Sequence, residues 1–404
     1  MLGERIRKIR KQKKITLEAL AGDELTKGML SLIENNKANP SMESLTYIAE
    51  RLGVDVTELL EETSAQERRE ILEKAEKLFN SADDTEKYKR LITLIEPVIA
   101  KISHGYESAR LLDIYSRCLY GEKKDGWQEF SDRAAKLYDE MNLTAKRVEI
   151  GMFHARVEFI EHDYTQSLEI FLKERADIEA NHAYIDPMTQ VDLDYHEAIN
   201  YFAVGNPEAA TRAMESAIHF SKKNRIFYRI DDLYRLAAAQ AMMTHDAEKK
   251  DHYLLKLKQY GDFAEDLMSI LFFNLFQVRS LSSEKHDYTK ALELVDQYFA
   301  DPKMADIFEF WYLLEKGKAF YGLERYHEAI YYLDKVKVPA YAHHPFDLSM
   351  FYIMDSYKAL CHLELGNRAE ALQKAQTAVE NFKPLPPTPF KDFAIETQAK
   401  IEKA

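Results

Sequence analysis

The 404-residue chain is predicted to be all-α. Three observations carry that expectation. With 13 Gly and 11 Pro, little of the chain is reserved for the turns that many short strands need. Apolar residues recur at the i, i+3, i+4 and i+7 spacing of a helix face. Pairs of small residues twelve positions apart also return along the chain, which is the mark of stacked helix pairs. A hydrophobic fraction of 46% with 30% charged residues fits a folded protein. The length exceeds what one core holds, so at least two folding units are expected.

In chain order, LGERIRKIRKQKK places Leu2, Ile6 and Ile9 on one helix face with basic residues between them. Thr16 is positioned to cap a second short helix, LEALAG, whose Leu17, Leu20 and Ala21 face inward. Asp23 and Glu24 make a turn, and Thr26 caps a third helix running to about Asn35, with Leu30 and Ile33 inward. The loop NNKANP follows, where Pro40 excludes helix. Ser41 caps a fourth helix carrying Leu45, Ile48, Ala49 and Leu52; Gly53 ends it, and Val56 to Leu60 form a fifth. From Ser64, QERREILEKAEKLFNSA is an amphipathic helix with Ile71, Leu72, Ala75 and Leu78 on its apolar face. The expected division is therefore a domain at 1–62, a linker helix at 63–83 and a helical array at 84–404.

In the array, the small or apolar anchors are Ala155, Ser167 and Phe171; Ala198, Ala210 and Ala217; Gly317, Ala329 and Val336; and Ala359, Ala371 and Ala378. A weaker copy surrounds Ala291, and the stretch from Asp84 to Asn142 is the least regular. Small residues at these places let two antiparallel helices cross closely. The pattern resembles the tetratricopeptide unit, although the spacing between anchors is nearer 40 than 34 residues. The resemblance implies a right-handed superhelix with a concave surface. KPLPPTPF breaks helix, and residues 390–403 are expected to close the array.

Charge is segregated. Residues 1–40 hold nine Lys or Arg against five Asp or Glu, whereas the remainder holds 46 against 63. An acidic body repels phosphates, so any contact with nucleic acid falls to the basic end. Residues 2–61 resemble the helix-turn-helix family of phage-repressor and xenobiotic-response-element type, on Ile6 with Arg10, LEALAG, TKGMLSLIENNKANPS and RLGVDVTELL. That resemblance implies a structural ion pair between Arg10 and Glu34, and a third helix whose amino-terminal end enters the major groove. Lys27, Gly28 and Ser31 then read base edges, while Asn35, Asn36, Lys37 and Asn39 bond phosphates. Lys8, Lys11 and Lys14 either add phosphate contacts or form a solvated basic face.

Other chemistries lack their motifs. There is no phosphate loop, no HExxH, no CxxC and no serine nucleophile elbow, so neither an enzyme nor a cofactor or metal is expected. Cys118 and Cys361 match no ligand spacing and fit a reducing compartment. His343–His344, between Ala342 and Pro345, reads as a turn. MLGERIRKIRKQKK is followed by no apolar run, and no stretch has the length of a membrane span, so a cytoplasmic protein without membrane contact is expected.

A repressor-type helix-turn-helix joined to degenerate tetratricopeptide repeats resembles the peptide-responsive quorum-sensing regulators of Gram-positive bacteria known from Rgg, Rap, NprR, PlcR and PrgX. The resemblance implies a transcription regulator with a double-stranded DNA operator, a short signalling peptide in the groove and a homo-oligomer, dimer or higher, whose arrangement the peptide controls. An alternative is a module that sequesters a phosphorelay response regulator, as in sporulation control. Such a groove must satisfy the backbone of an extended peptide. Asn200 and Asn274 sit mid-helix among apolar residues, where asparagine is otherwise unfavourable, so they are candidates unless internal hydrogen bonds hold them. Arg229, Asp232, Tyr234 and Arg235 cluster on one helix and either grip peptide charges or pair with each other.

Overall fold

The structure, a computed structural model, describes residues 2–60, 65–81, 86–102, 104–300 and 302–404. The described residues are helical and loop, without a strand. Five short helices come first: α1 (Leu2–Gln12), α2 (Leu17–Ala21), α3 (Lys27–Glu34), α4 (Met42–Leu52) and α5 (Val56–Leu60). Next are α6 (Ala65–Phe79), α7 (Lys87–Ile99), α8 (Tyr106–Gly121), α9 (Trp127–Glu140), α10 (Thr144–Ile160) and α11 (Tyr164–Asn181). They are followed by α12 (Pro187–Ala203), α13 (Pro207–Asn224), α14 (Ile230–Met243), α15 (Ala247–Ala264) and α16 (Leu267–Ser283). The last are α17 (Tyr288–Phe299), α18 (Pro302–Gly322), α19 (Tyr326–Leu333), α20 (Pro345–Glu364), α21 (Arg368–Phe382) and α22 (Pro389–Lys403). Among the described residues, no helix is long and apolar enough to cross a membrane. The fold class is all-α, with a helix-turn-helix domain followed by tetratricopeptide-type helix pairs.

The chain folds as two compact units, Met1–Ile150 and Gly151–Ala404. The expected divisions at 62/63 and 83/84 fall in 61–64 and 82–85, outside the described residues. In the first unit, Ile6, Leu20, Leu30, Ile33, Leu45, Ile48 and Leu52 form one buried core. Each contributes roughly 1.5–3 kcal/mol by leaving water. The Thr16, Thr26 and Ser41 side chains accept the N–H groups of Ala19, Met29 and Ser44, satisfying donors that a helix start leaves open. Gly3 lets α1 lie on α3 through bare backbone, since a Cβ there would stand 1.9 Å from the Ile33 carbonyl oxygen. A second core in this unit gathers Leu72, Leu91, Ile95, Leu111, Leu112 and Tyr138 from α6 to α9. Over it, Arg110 bridges Glu76 and the buried Asp113, each at 2.6 Å.

The second unit is a run of antiparallel pairs, α10 with α11 through α20 with α21, closed by α22. Its period is visible at the crossings. Ser167 donates to the Ala155 carbonyl at 2.8 Å, so the first twelve-residue couple is a direct contact. A Cβ on Gly317 would lie 2.5 Å from Leu333 and 3.3 Å from the Ala329 carbonyl oxygen. Two further couples keep the spacing without two small residues, Ala238 with Lys250 and Arg279 with Ala291. Lys250 and Arg279 are each only 5% exposed; Lys250 reaches Glu284 at 2.6 Å, and Arg279 reaches Glu315 at 3.5 Å. The first-helix anchors are thus Ala155, Ala198, Ala238, Arg279, Gly317 and Ala359, and six pairs follow a common rhythm. Helices of 17 and 18 residues in α12 and α13 account for a repeat longer than 34. The end of the stack is sealed by Ile401 of α22 against Ala359, Ala371 and Ala375.

Candidate functional site

Two surfaces stand out, one in each unit. In the first, α2 and α3 are joined by the Gly22–Thr26 turn, and α3 buries Leu30, Ile33 and Glu34. The opposite face leaves Lys27 and Gly28 exposed and Ser31 half-buried. Lys27 lies 3.7 Å from Glu18 across the turn. Gly28 has open space where a side chain would stand, its nearest neighbour being Thr26 Oγ1 at 3.9 Å. Met29 and Leu32 share this outer surface, 47% and 45% exposed, and add an apolar edge that the sequence reading passed over.

Beyond α3, Asn35, Asn36, Lys37 and Asn39 are all exposed. Asn35 closes the helix, its amide donating to the Ser31 carbonyl at 2.7 Å. Asn36 takes a left-handed backbone, φ 55°, and its Oδ1 accepts the Gly3 N–H at 2.9 Å, which ties α1 to the end of α3. Behind them Arg10 grips Glu34 with two bonds, Nε at 2.6 Å and Nη2 at 2.8 Å. The two bonds to Glu34 raise the Arg10 pKa above its ordinary value. That clamp sits behind the exposed face and fixes the angle at which α3 is presented.

In the second unit a cavity of about 510 Å³ opens on the first helices of the pairs. Its wall takes Arg156 and Phe159 from α10, Tyr195 and Phe202 from α12, and Asp232 and Arg235 from α14. Met268, Phe272 and Phe276 come from α16, and Phe308 and Trp311 from α18. Phe346, Asp347 and Met350 of α20 complete it, with Tyr341, His343 and His344 from the loop before α20. Among the described residues, none on the paired second helices lines this wall. Tyr164 pins that loop by donating to the His343 carbonyl at 2.8 Å. Trp311 donates its indole N–H to Tyr341 at 3.1 Å. Phe308 is the point where α18 leaves helical geometry, with φ −116° and ψ 16°.

Four charged side chains stand on the described wall, those of Arg156, Asp232, Arg235 and Asp347. Arg235 bonds Asp232 at 2.6 Å, and its guanidinium lies 4.3 Å from the centre of the Phe272 ring. Asp232 also accepts from Arg229 at 3.1 Å, and Arg229 pairs in turn with Asp192. Burial lifts the Asp347 carboxyl to about 6, against the opposing pull of Arg235. Burial also holds His344 at about 4, so this ring is neutral at pH 7, and its Nδ1 accepts the Phe346 N–H at 3.1 Å.

Of the six residues expected to meet a peptide, Asp232 and Arg235 line the cavity, and Arg229 stands behind them in the same ion cluster. Tyr234 points into the core with Leu233 and Leu257. Asn200 lies outside the cavity wall and is occupied internally: its Oδ1 stands 2.8 Å from Ser167 Oγ, whose single proton it shares with the Ala155 carbonyl, and its Nδ2 donates to the His196 carbonyl at 2.8 Å. Asn274 is half-buried on α16, likewise outside the wall. Sequence reasoning missed Arg156, Trp311, Tyr341 and Asp347. A signal existed for one of them and for its neighbours. Arg156, Ile199 and Ala239 each follow the first-helix anchor by one residue, and Tyr195, Arg235 and Phe276 precede theirs by three; all line the cavity.

Residues 3–64 match the family described as "Helix-turn-helix domain". No curated protein matches the chain. Among solved structures, the chain is similar to PlcR of Bacillus thuringiensis, solved with the peptide PapR7 and DNA. That match has 20% identity over 65% of this chain and 95% of the other, with a TM-score of 0.36. It is also similar to the competence regulator ComR of Streptococcus vestibularis, solved with its cognate signalling peptide XIP: 18% identity, 66% and 94% coverage, TM-score 0.36. Yeast Tom70 matches with 17% identity over 99% of this chain and 80% of its own, TM-score 0.43.

Proposed function

We propose that this chain, with its helix-turn-helix domain at the amino-terminal end, is a sequence-specific DNA-binding regulator of transcription gated by a short peptide held in the cavity of the second unit. The observation that carries the reading is the coexistence of two unlike surfaces. One is an exposed helix face in the basic part of an otherwise acidic chain; the other is an aromatic-walled cavity set with four charged side chains on its described wall, a make-up suited to a ligand site.

On the first surface, Lys27 and Ser31 supply hydrogen-bonding groups to base edges, and Gly28 lets the backbone come close. Met29 and Leu32 offer apolar contact to thymine methyls. Asn35, Asn36, Lys37 and Asn39 follow at the end of α3, where amide and ammonium groups bond phosphate oxygens and set register without reading sequence, Asn36 through its Nδ2 since its Oδ1 is held by Gly3. In the second unit, Arg235 and Asp232 present charge to a ligand, and the aromatic wall takes its apolar side chains. In this reading the domain at 1–62 binds DNA, the helix at 63–83 links, and 84–404 bind the peptide and a second copy of the chain. Two copies suit a motif that reads paired half-sites.

The test is a gel-shift titration. The selected operator is held with full-length protein at fixed salt, and candidate peptides are added. A peptide that changes operator affinity supports the gating. DNA binding indifferent to every peptide removes the gating and leaves the DNA reading standing.

A further inference from the structure

We propose that the cavity recognises its ligand through a cationic group, an ammonium or guanidinium, seated on the Asp347 carboxylate. The inference rests on the peptide reading above and adds to it the chemistry that the peptide must carry.

Asp192 and Asp232 are bonded to Arg229 and Arg235, two carboxylates against two guanidiniums. Asp347 stands on the same wall as a third carboxylate and has no hydrogen bond among the described residues. Arg235 is the nearest opposing charge, but its own bond runs to Asp232, and its guanidinium lies against Phe272. Asp231, beside Asp232, adds to the negative side. The neighbouring imidazole of His344 is neutral at pH 7 and has committed its Nδ1, so it offers Asp347 no cation. With Arg156 of the same wall counted, the carboxylates of Asp192, Asp231, Asp232 and Asp347 stand against the guanidiniums of Arg156, Arg229 and Arg235, and Asp347 supplies the one negative charge in excess.

Its surroundings suit a cation. Trp311, Tyr341 and Phe346 line the same cavity as Asp347, and Trp311 spends its N–H on Tyr341, which leaves the ring itself as the surface. Aromatic faces attract a desolvated cation through their quadrupole, and a carboxylate among them adds the full charge. An ionised carboxylate in an apolar wall is costly without a partner, and a ligand cation supplies that partner only when bound. Arg156, exposed on α10, lines the same wall, but Arg235 and not Arg156 is the cation that acts on Asp347.

The test uses full-length protein and three sets of synthetic heptapeptides built from Ala, Leu and Phe. In the first, capped at both ends, a single Lys is walked through every position; in the second, norleucine replaces Lys; in the third, the norleucine peptides keep a free amino terminus. Binding is read by calorimetry for wild type and Asp347→Asn. A Lys peptide that binds about tenfold tighter than its norleucine twin, with the difference erased in Asp347→Asn, supports a side-chain cation. The same pattern in the third set assigns the amino terminus instead. Norleucine peptides that bind as well as both cationic sets, or a cation preference that survives in Asp347→Asn, overturn the inference while leaving peptide binding intact. No binding by any set, nor by a random heptapeptide pool, sinks the peptide reading along with it. A higher melting temperature of Asp347→Asn without peptide shows that the variant folds.

Discussion

Gly28 is the place where a single substitution is expected to separate stability from the proposed function. It stands in the first turn of α3 with open space where a Cβ would go, so nothing in the fold requires glycine there. Ala at such a position stabilises a helix by about 0.5–1 kcal/mol. Gly28→Ala is therefore expected to raise the melting temperature and weaken operator binding, because a methyl holds the backbone off the base edges; binding equal to wild type would remove Gly28 from the interface. The double variant Lys27→Ala with Ser31→Ala is expected to lose about 1–3 kcal/mol of discrimination between operator and random DNA, with helical content by circular dichroism unchanged. Unchanged footprints would put a different helix in the groove. For Asp347 the sign runs with protonation: its folded pKa of about 6 lies above the roughly 3.9 of an unfolded chain. Its contribution to stability is fully present below about pH 4 and is lost as pH rises through about 6. Melting curves should show Asp347→Asn more stable than wild type at neutral pH and equal to it in acid. At this scale the sequence was only partly legible. Asn200 drew notice as a polar residue among apolar ones, and its amide is consumed by Ser167 and the His196 carbonyl. Asp347 follows a proline and an aromatic residue at the start of a helix, where an acidic residue attracts no notice because it favours the helix dipole.

Elements were more legible than side chains, because caps and apolar spacing act locally. Thr16, Thr26, Ser41 and Gly53 bound helices where their chemistry demands, and Pro389 opens the closing helix near the expected position 390. One helix pair escaped, and a second showed only its later helix around Ala291, for a physical reason. In α14 with α15 and α16 with α17, one of the two small anchors is replaced by Lys250 or Arg279. Each threads its aliphatic stem through the crossing and delivers its charge to a glutamate. A search for small residues cannot see them. Where the anchor is glycine, the crossing is tight enough to reverse a common rule. Gly317→Ala in the middle of α18 would ordinarily stabilise the helix, yet its Cβ meets Leu333 and the Ala329 carbonyl. A net loss of about 1–3 kcal/mol is expected from the displaced packing, visible as a lower denaturant midpoint; a gain would mean that Leu333 yields freely.

For the whole molecule, the governing fact is uneven charge: an excess of basic residues in 1–40 and of acidic residues beyond. Removing residues 1–64 should abolish duplex binding, and the intact chain should show operator affinity that falls with the logarithm of salt concentration, as counterion release requires. A truncated protein that still bound selectively would contradict this division of labour. The alternation of helices in the second unit has a different consequence. Six helices, one from each pair, carry the described cavity wall together with the loop before α20, while their partners lie off it. The wall is thus written on stretches of chain that interleave with the partner helices, while Phe202, Phe308, Trp311, Phe346 and Met350 serve both the wall and the buried core. Transplanting the wall residues of α10, α12, α14, α16, α18 and α20 together with Tyr341, His343 and His344 into a related array should transfer ligand choice, and drift along the partner helices should leave that choice untouched.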